Sequence, residues 1–330
     1  MAGRRQPTSV AVVGAGLAGL AAARRLAAAG CAVRVFDKAR GPGGRMATRR
    51  EAGLAFDHGA QYFTTRAPAF HEAVAGWRRR GLAGVWPVTI ARLPGNGPHA
   101  PARTEPLVGV PGMSALCRAL AEPLATEYGA TVAAVTRTDG AWTLTGADGR
   151  ALGRCDRVVI GTPPAQAAPL LAGAPGLARR AASVVMRSCW AVMLAFAERL
   201  ELPWDAAFVN EPPLSWIARN AAKPGRPAGE TWVLHASPSW SEANLESDGE
   251  AVAATLLGAF FATTGARPVA PTRRIAHRWR YARAARPLAA GHLLDPERGI
   301  GACGDWCRGD RVEDAFLSGS SLAEAMRAGA

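Results

Sequence analysis

An α/β fold is predicted for this 330-residue chain: a Rossmann-type nucleotide-binding domain, and a smaller α+β domain with a mainly antiparallel sheet. Three observations predict it. A strand–turn–helix–strand pattern with G-x-G-x-x-G spacing opens the chain, and a short apolar strand ending in Gly-Asp closes it. Most of the ten tryptophans fall in or beside alternating apolar runs between residues 183 and 290. The length suits about two domains.

Residues 9–13, SVAVV, are short, apolar and β-branched, fit for a strand buried on both faces. They enter Gly14-Ala15-Gly16-Leu17-Ala18-Gly19, after which 20–29 is rich in the strong helix formers Ala, Leu and Arg. Gly30 stands where a helix stop is expected, and 31–36 form a second strand ending in Asp37. Gly14 permits a tight turn, Gly16 admits a pyrophosphate against the backbone, and Gly19 lets the helix close on the sheet. The helix N-terminus offers free N–H groups to phosphate, and Asp37 is placed to accept from ribose hydroxyls.

The segment after Asp37 decides between cofactors. Lys38-Ala39-Arg40-Gly41-Pro42-Gly43-Gly44-Arg45 is a second glycine-rich, basic stretch. At the far end, 299–303 reads as a strand followed by Gly304-Asp305-Trp306, and 320–328 reads as a helix. Such a Gly-Asp turn sits at the ligand edge of an α/β sheet, where Asp305 can accept from ribityl hydroxyls. A cofactor touched by both chain ends is long, which favours FAD over NAD.

Composition excludes several classes. The chain is 49% hydrophobic and 20% charged, ordinary for a globular protein and unlike a disordered tail or a fibre. Its formal net charge is +13, and only two of the 39 basic residues, Lys38 and Lys223, are lysine. The arginine excess reads either as a GC-rich coding bias or as attraction of an anion. The arginines are scattered, which argues against nucleic acid as a partner and leaves open a small phosphate-bearing substrate. The six cysteines include no C-x-x-C pair, so neither a metal ribbon nor a disulfide framework is expected. Arg4-Arg5 before the apolar run 10–23 imitates an export signal, but the run is shorter than the ~20 residues of a membrane span. A cytoplasmic protein without a membrane partner is expected.

Together these residues resemble the FAD-dependent amine oxidase superfamily and, within it, the bacterial renalases. The stretches that carry the resemblance are FDKARGPGGRM (36–46), DHGAQYFTTR (57–66), VGVPGMSALCRAL (108–120), GTPPAQAAPLL (161–171), LSWIARNAAKPGR (214–226), WVLHASPSW (232–240), HRWRYARAARP (277–287) and CGDWCRGDRVEDAFLSG (303–319). The resemblance covers about residues 8 to 328. It implies non-covalent FAD, held at Gly14, Gly16, Leu17, Gly19, Asp37, Lys38, Gly44, Arg45, Gln61, Tyr62, Asp305 and Val312. It implies oxidation of mis-reduced NAD(P)H isomers (2-dihydro, and also 6-dihydro forms) to NAD(P)⁺ by hydride transfer to flavin N5. O₂ is then reduced to hydrogen peroxide. It also implies a discontinuous FAD-binding domain over 8–72, 107–172 and 293–328, with 73–106 and 173–292 as substrate domain. His58 departs from the family pattern, where an apolar residue is usual, and receives no role.

Between the ends, 131–135 and 157–160 read as strands returning to the first sheet, and 142–145 as a hairpin strand with a turn at Asp148-Gly149. Residues 113–125 read as an amphipathic helix, 94–101 as an exposed loop, and 250–264 as a helix ended by Gly265. Strands of a second sheet are read at 190–196, 207–209, 215–218 and 231–235.

Hydride transfer that restores an aromatic ring needs no metal and no catalytic side chain; the protein orients the donor and excludes water. Candidates for such a cavity are Trp216, Arg219, Asn220, His235, Trp240, Trp279 and Tyr281. Taken alone, each tryptophan reads first as core packing, and His235 as a satisfied core residue. Lys38 belongs to the cofactor loop and Lys223 reads as part of a turn, so the lysine that amine oxidases set beneath the flavin is not expected here. The competing readings are an amine oxidase or desaturase of the same superfamily, and a non-catalytic FAD-binding redox module.

Overall fold

The computed structural model describes residues 7–94 and 105–328; Arg4-Arg5, and the expected loop beyond Pro94, lie outside the described residues. The chain divides into two compact units. One takes the residues up to 44, 116–185 and those from 284 onward; the other takes 45–115 and 186–283. Residues 45–72 and 107–115, expected with the FAD-binding part, thus fold with the second unit, whereas 173–185 and 284–292 fold with the first. The cause is packing: Phe56, in the hairpin of Thr48–Glu51 and Leu54–Asp57, is buried against Met193, Ala195 and Val233.

In the first unit a six-stranded sheet runs Leu293–Asp295, Ile300–Ala302, Arg157–Ile160, Ser9–Val13, Ala32–Asp37, Ala125–Tyr128. All neighbours pair parallel except the first two. Ser9–Val13 lies between Ala32–Asp37 and Arg157–Ile160, the topological switch point, beyond whose C-terminal end ligands bind in open α/β sheets. The helices Leu17–Ala28 and Val312–Ala328 pack closely on one another.

Three expectations are corrected here. The strand expected at 131–135 forms as Val132–Thr138 but belongs to a separate three-stranded antiparallel sheet with Ala141–Gly146 and Ala151–Cys155. A two-residue turn at Asp139-Gly140, both with positive φ, makes that local hairpin pairing win. The helix expected at 113–125 covers only Ser114–Ala121. Pro123 ends it, and Ala125–Tyr128 adds a strand to the sheet edge instead. The last helix starts at Val312, not 320, with Glu313 and Asp314 in its first turn, where acidic residues are favourable.

The second unit is built on a six-stranded sheet in the order Arg273–Ala284, Met186–Phe196, Glu230–Ala236, Leu214–Arg219, Ala206–Val209, Ile90–Leu93. The three central pairings are antiparallel and the last is parallel. The edge strand Arg273–Ala284 escaped sequence reading because arginines, not apolar residues, occupy much of one face, as suits an exposed edge. The sheet has two distinct faces. Val192, Leu194, Trp232, Leu234 and Ile217 pack under the helix Gly249–Thr264, which Asp248 caps through Glu250 N and Ala251 N. Such a cap contributes about 1 kcal/mol. Met193, Ala195, Val233 and Ile275 point the other way, toward the hairpin bearing Phe56.

Candidate functional site

The first unit carries a nucleotide cradle made largely of main chain. Gly14, with φ +108, donates its N–H to Phe36 O at 2.8 Å and turns the chain off its strand. A Cβ on Gly19 would stand 2.1 Å from Gly14 O, so only glycine lets the helix begin this close to the turn. Gly16 is different: a Cβ there meets no atom within 4 Å. The second glycine-rich segment folds back onto this loop, with Gly43 N donating to Ala15 O at 2.9 Å and a Gly44 Cβ lying 3.5 Å from Gly16 Cα.

Asp37 is held by both oxygens: Oδ2 accepts from Ala15 N at 2.6 Å and Oδ1 from Ala39 N at 2.7 Å. A carboxylate has about four acceptor positions, so two remain for ribose hydroxyls. Lys38 beside it is exposed, Leu17 is buried, Asp305 is buried at the end of the Ile300–Ala302 strand, and Val312 opens the last helix. An open backbone at Gly16, free helix N-terminal amides and an anchored acid with spare lone pairs fit the diphosphate and ribose of FAD.

The second unit carries a cluster of a different kind, made of side chains from distant segments. At its centre is Asp57, with no solvent exposure. Its Oδ1 accepts from Thr48 Oγ1 at 2.7 Å and Met113 N at 3.0 Å; its Oδ2 accepts from Arg226 Nε at 3.1 Å and from Arg226 Nη2. Lys223 Nζ lies 3.6 Å from Oδ2. Burial pushes the Asp57 carboxyl up, but the charges of Lys223 and Arg226 and the Met113 N–H outweigh it and hold the group below the usual carboxylate range.

Lys223 corrects the sequence reading. Its backbone follows a short 3₁₀ turn, as expected, but its side chain is buried rather than part of a surface turn. Nζ donates to Gln61 Oε1 at 3.1 Å and Asn220 Oδ1 at 3.2 Å, and stands 5.2 Å from the Trp86 ring centroid. Burial brings its ammonium down to about 8, partly offset by Asp57. Gln61, expected to touch the cofactor, has its amide fully engaged: Oε1 takes Lys223, and Nε2 donates to Gly59 O at 3.0 Å and to Asp57 O.

An aromatic group adjoins this network. Tyr62 packs against Trp86 and Trp216 at ring-centroid distances of 6.4 and 5.7 Å, and Phe208 meets Trp216 at 4.8 Å. His58 stacks on Trp279 at 5.0 Å, and His277 meets both rings edge-on. Trp279 Nε1 donates to His58 O at 2.9 Å, and His235 Nε2 lies 3.1 Å from the same oxygen. Burial drives His58 down to about 3 and His235 to about 4, so both rings are neutral at neutral pH.

The register sorts the remaining candidates. Trp216 pairs with His235 across the sheet, so both share the face that carries Met193 and Val233. Trp279, two strands away, meets His58, and Tyr281 follows Trp279 on the same side of its strand. Arg219 pairs with Trp232 and points to the opposite face. It is buried there, with Nη2 donating to Leu200 O at 2.9 Å and its guanidinium 4.8 Å from the Trp232 ring. Trp240 packs on that same far side. Both belong to the core under the helix, not to the cavity face where they were expected. Asn220 is a clamp, donating to Ala55 O and accepting from Asp57 N and Lys223. Arg45 donates to Ala282 O at 3.1 Å. Asp57, Trp86, Lys223, Arg226 and His277 went unread as a group. The one signal was the rarity of lysine.

The family described as flavin containing amine oxidoreductase matches residues 91–327, and a Rossmann-like NAD(P)-binding family matches 12–75. Among curated proteins, a 4,4'-diapophytoene desaturase of Staphylococcus haemolyticus is 54% identical over 50 residues, covering 15% of this chain and 10% of that protein. A zeta-carotene-forming phytoene desaturase of Myxococcus xanthus is 48% identical over 59 residues, 18% of this chain and 11% of that one. The chain thus matches only about a tenth of the length of these relatives. Among solved structures, one assigned as a protoporphyrinogen oxidase of Exiguobacterium sp. 255-15 superposes with a TM-score of 0.77 at 16% identity, over 97% of this chain and 99% of that chain. A putrescine oxidase variant superposes at 0.73 and 16%, over 98% and 100%. At such identities the likeness is one of fold.

Proposed function

The chain belongs to the flavin-containing amine oxidoreductases, and from that premise we propose that this FAD-dependent oxidoreductase oxidises mis-reduced isomers of NAD(P)H to NAD(P)⁺. Gly14, Gly16, Leu17, Gly19, Asp37, Lys38, Gly44, Asp305 and Val312 would hold FAD. When bound, FAD would supply the hydride acceptor, with O₂ taking up the electrons as peroxide.

The observation that carries the reading is the state of the ionisable groups in the second unit's cluster. His58 and His235 are held neutral, and Asp57 is locked between Arg226 and Lys223. A dihydropyridine loses hydride without losing a proton, so its oxidation requires no base. Stacked, rigid rings such as Trp279 and His58 supply a flat surface for orienting a nicotinamide ring.

A second reading, oxidation of an amine or desaturation of a carbon skeleton, draws support from Lys223. It is buried and its ammonium is brought to about 8, so a fraction is neutral near physiological pH and able to take a proton. Anaerobic mixing separates the readings. Rapid flavin bleaching by borohydride-generated NADH isomers, but not by putrescine or benzylamine, is expected. Bleaching by amines alone would establish the second reading, and no bleaching by any donor would leave a binding module. Trp279→Ala should slow bleaching while the protein stays yellow; loss of flavin instead would make Trp279 part of the scaffold.

A further inference from the structure

Two indole N–H groups in the second unit's aromatic group, Trp86 Nε1 and Trp216 Nε1, are buried and have no hydrogen-bond partner among the described residues. Trp86 is 1% exposed and Trp216 is 6% exposed. Buried indole N–H groups ordinarily find an acceptor, because leaving one unsatisfied costs free energy. Both indoles contact the same residue, Tyr62, and Trp86 also lies beneath the Lys223 ammonium. The surrounding charges point the same way: Lys223 and Arg226 are two cations against the single carboxylate of Asp57. The neighbourhood is rich in donors and positive in sign.

We propose that Trp86 and Trp216 form a subsite for a hydrogen-bond acceptor, the carbonyl oxygen of a carboxamide or a carboxylate on a planar ring, and that it selects such rings over ring-bearing amines. The subsite deepens the reading above, since the ring of an NAD(P)H isomer bears a carboxamide, and it rests on that reading only for the substrate's identity. Each indole donates to the ligand oxygen; no bond is made or broken. A ligand ammonium meets N–H donors and a net positive field there. An indole N–H whose partner arrives with the ligand contributes to affinity without a ground-state competitor inside the protein.

The test uses holoenzyme and two ring-matched probes, benzamide as acceptor and benzylamine as donor, titrated by calorimetry. Benzamide should bind the more tightly. Trp216→Phe keeps an aromatic ring but deletes the N–H, and should weaken benzamide about three- to tenfold, the scale of one neutral hydrogen bond. It should leave benzylamine within about twofold, and Trp86→Phe should act alike. Equal or tighter binding of benzylamine to the unmodified enzyme overturns the proposal, as does equal weakening of both probes in Trp216→Phe. If neither phenylalanine variant retains flavin, the probe pair on the unmodified enzyme decides alone, and binding of neither probe counts against the subsite. Benzamide selectivity without oxidation of NADH isomers would refute the functional reading and keep the subsite. Oxidation without that selectivity would do the reverse.

Discussion

The nucleotide cradle of the first unit is made mostly of main chain, and the polar cluster of the second is made of side chains. In the cradle, Gly14, Gly16 and Gly19 lie within six residues, and one acid, Asp37, is fixed by amides of Ala15 and Ala39. In the cluster, Asp57, Gln61, Trp86, Lys223, Arg226, His235 and Trp279 arrive from separate stretches of chain and hold one another. The cradle tolerates little change in backbone shape but carries few buried charges. The cluster depends on charge balance among side chains from distant stretches of chain.

That contrast predicts which substitutions act on folding and which on binding. The largest effect is expected at Asp57. Asp57→Asn leaves Arg226 and Lys223 without their counter-charge and should destabilise the protein by about 3–5 kcal/mol in urea unfolding, the usual scale for breaking a buried ion pair from one side. A loss below about 1 kcal/mol would mean that the network is far better hydrated than its burial implies. Asp37→Ala should act on the cofactor: removal of a charged acceptor costs about 1.5–3 kcal/mol, read as roughly ten- to a hundredfold weaker FAD binding to apoprotein. A variant that purifies with full flavin would contradict the ribose role.

The two inner glycines sharpen the comparison further. Gly19→Ala forces a Cβ to within 2.1 Å of Gly14 O and should cost about 1–3 kcal/mol of apoprotein stability. Gly16→Ala enters open space and should change apoprotein stability by no more than about 0.5 kcal/mol while weakening FAD binding. If both variants behave alike, the cradle is not divided into a packing glycine and a ligand-facing one.

A pH-dependent effect separates the two regions as well, in the acid limb of stability. His58 and His235 have folded values near 3 and 4, below the 6.5 of a free imidazole. The unfolded chain therefore binds more protons between about pH 6.5 and pH 4, and stability falls as pH drops through that window, by at most about 1.4 kcal/mol per pH unit for each histidine. His58→Leu, which restores the apolar residue usual at this place in the family, should flatten the limb in urea titrations at pH 4.5 to 6.5. An unchanged slope would assign the acid sensitivity elsewhere.

Legibility in the sequence followed the same division. The strand–turn–helix around G-x-G-x-x-G and the strand before Gly304-Asp305 could be read because they are local: the glycines that shape the turn are neighbours in the chain. The edge strand Arg273–Ala284 was missed because its alternation is between arginines and aromatics rather than apolar and polar residues. Lys223 was misread because a lysine beside Pro224-Gly225 is usually a surface turn, and nothing nearby in sequence announces Asp57, Gln61 and Asn220 as its partners. Arg219 and Trp240 were misassigned for a related reason: being in or beside a strand does not tell which face a residue takes until its partner strands are known, and the pairing of Arg219 with Trp232 turned it into the core.

The amino-acid order alone thus established the α/β class and the G-x-G-x-x-G turn, because both rest on short-range periodicity and closely spaced glycines, and its motif stretches carried the likeness to a flavin-dependent family. Folding in three dimensions decided which side chains share a sheet face, which charges lose their water, and that one of only two lysines sits buried against a carboxylate. Desolvation and pairing are properties of neighbours in space, and in the second unit those neighbours lie up to 237 residues apart along the chain.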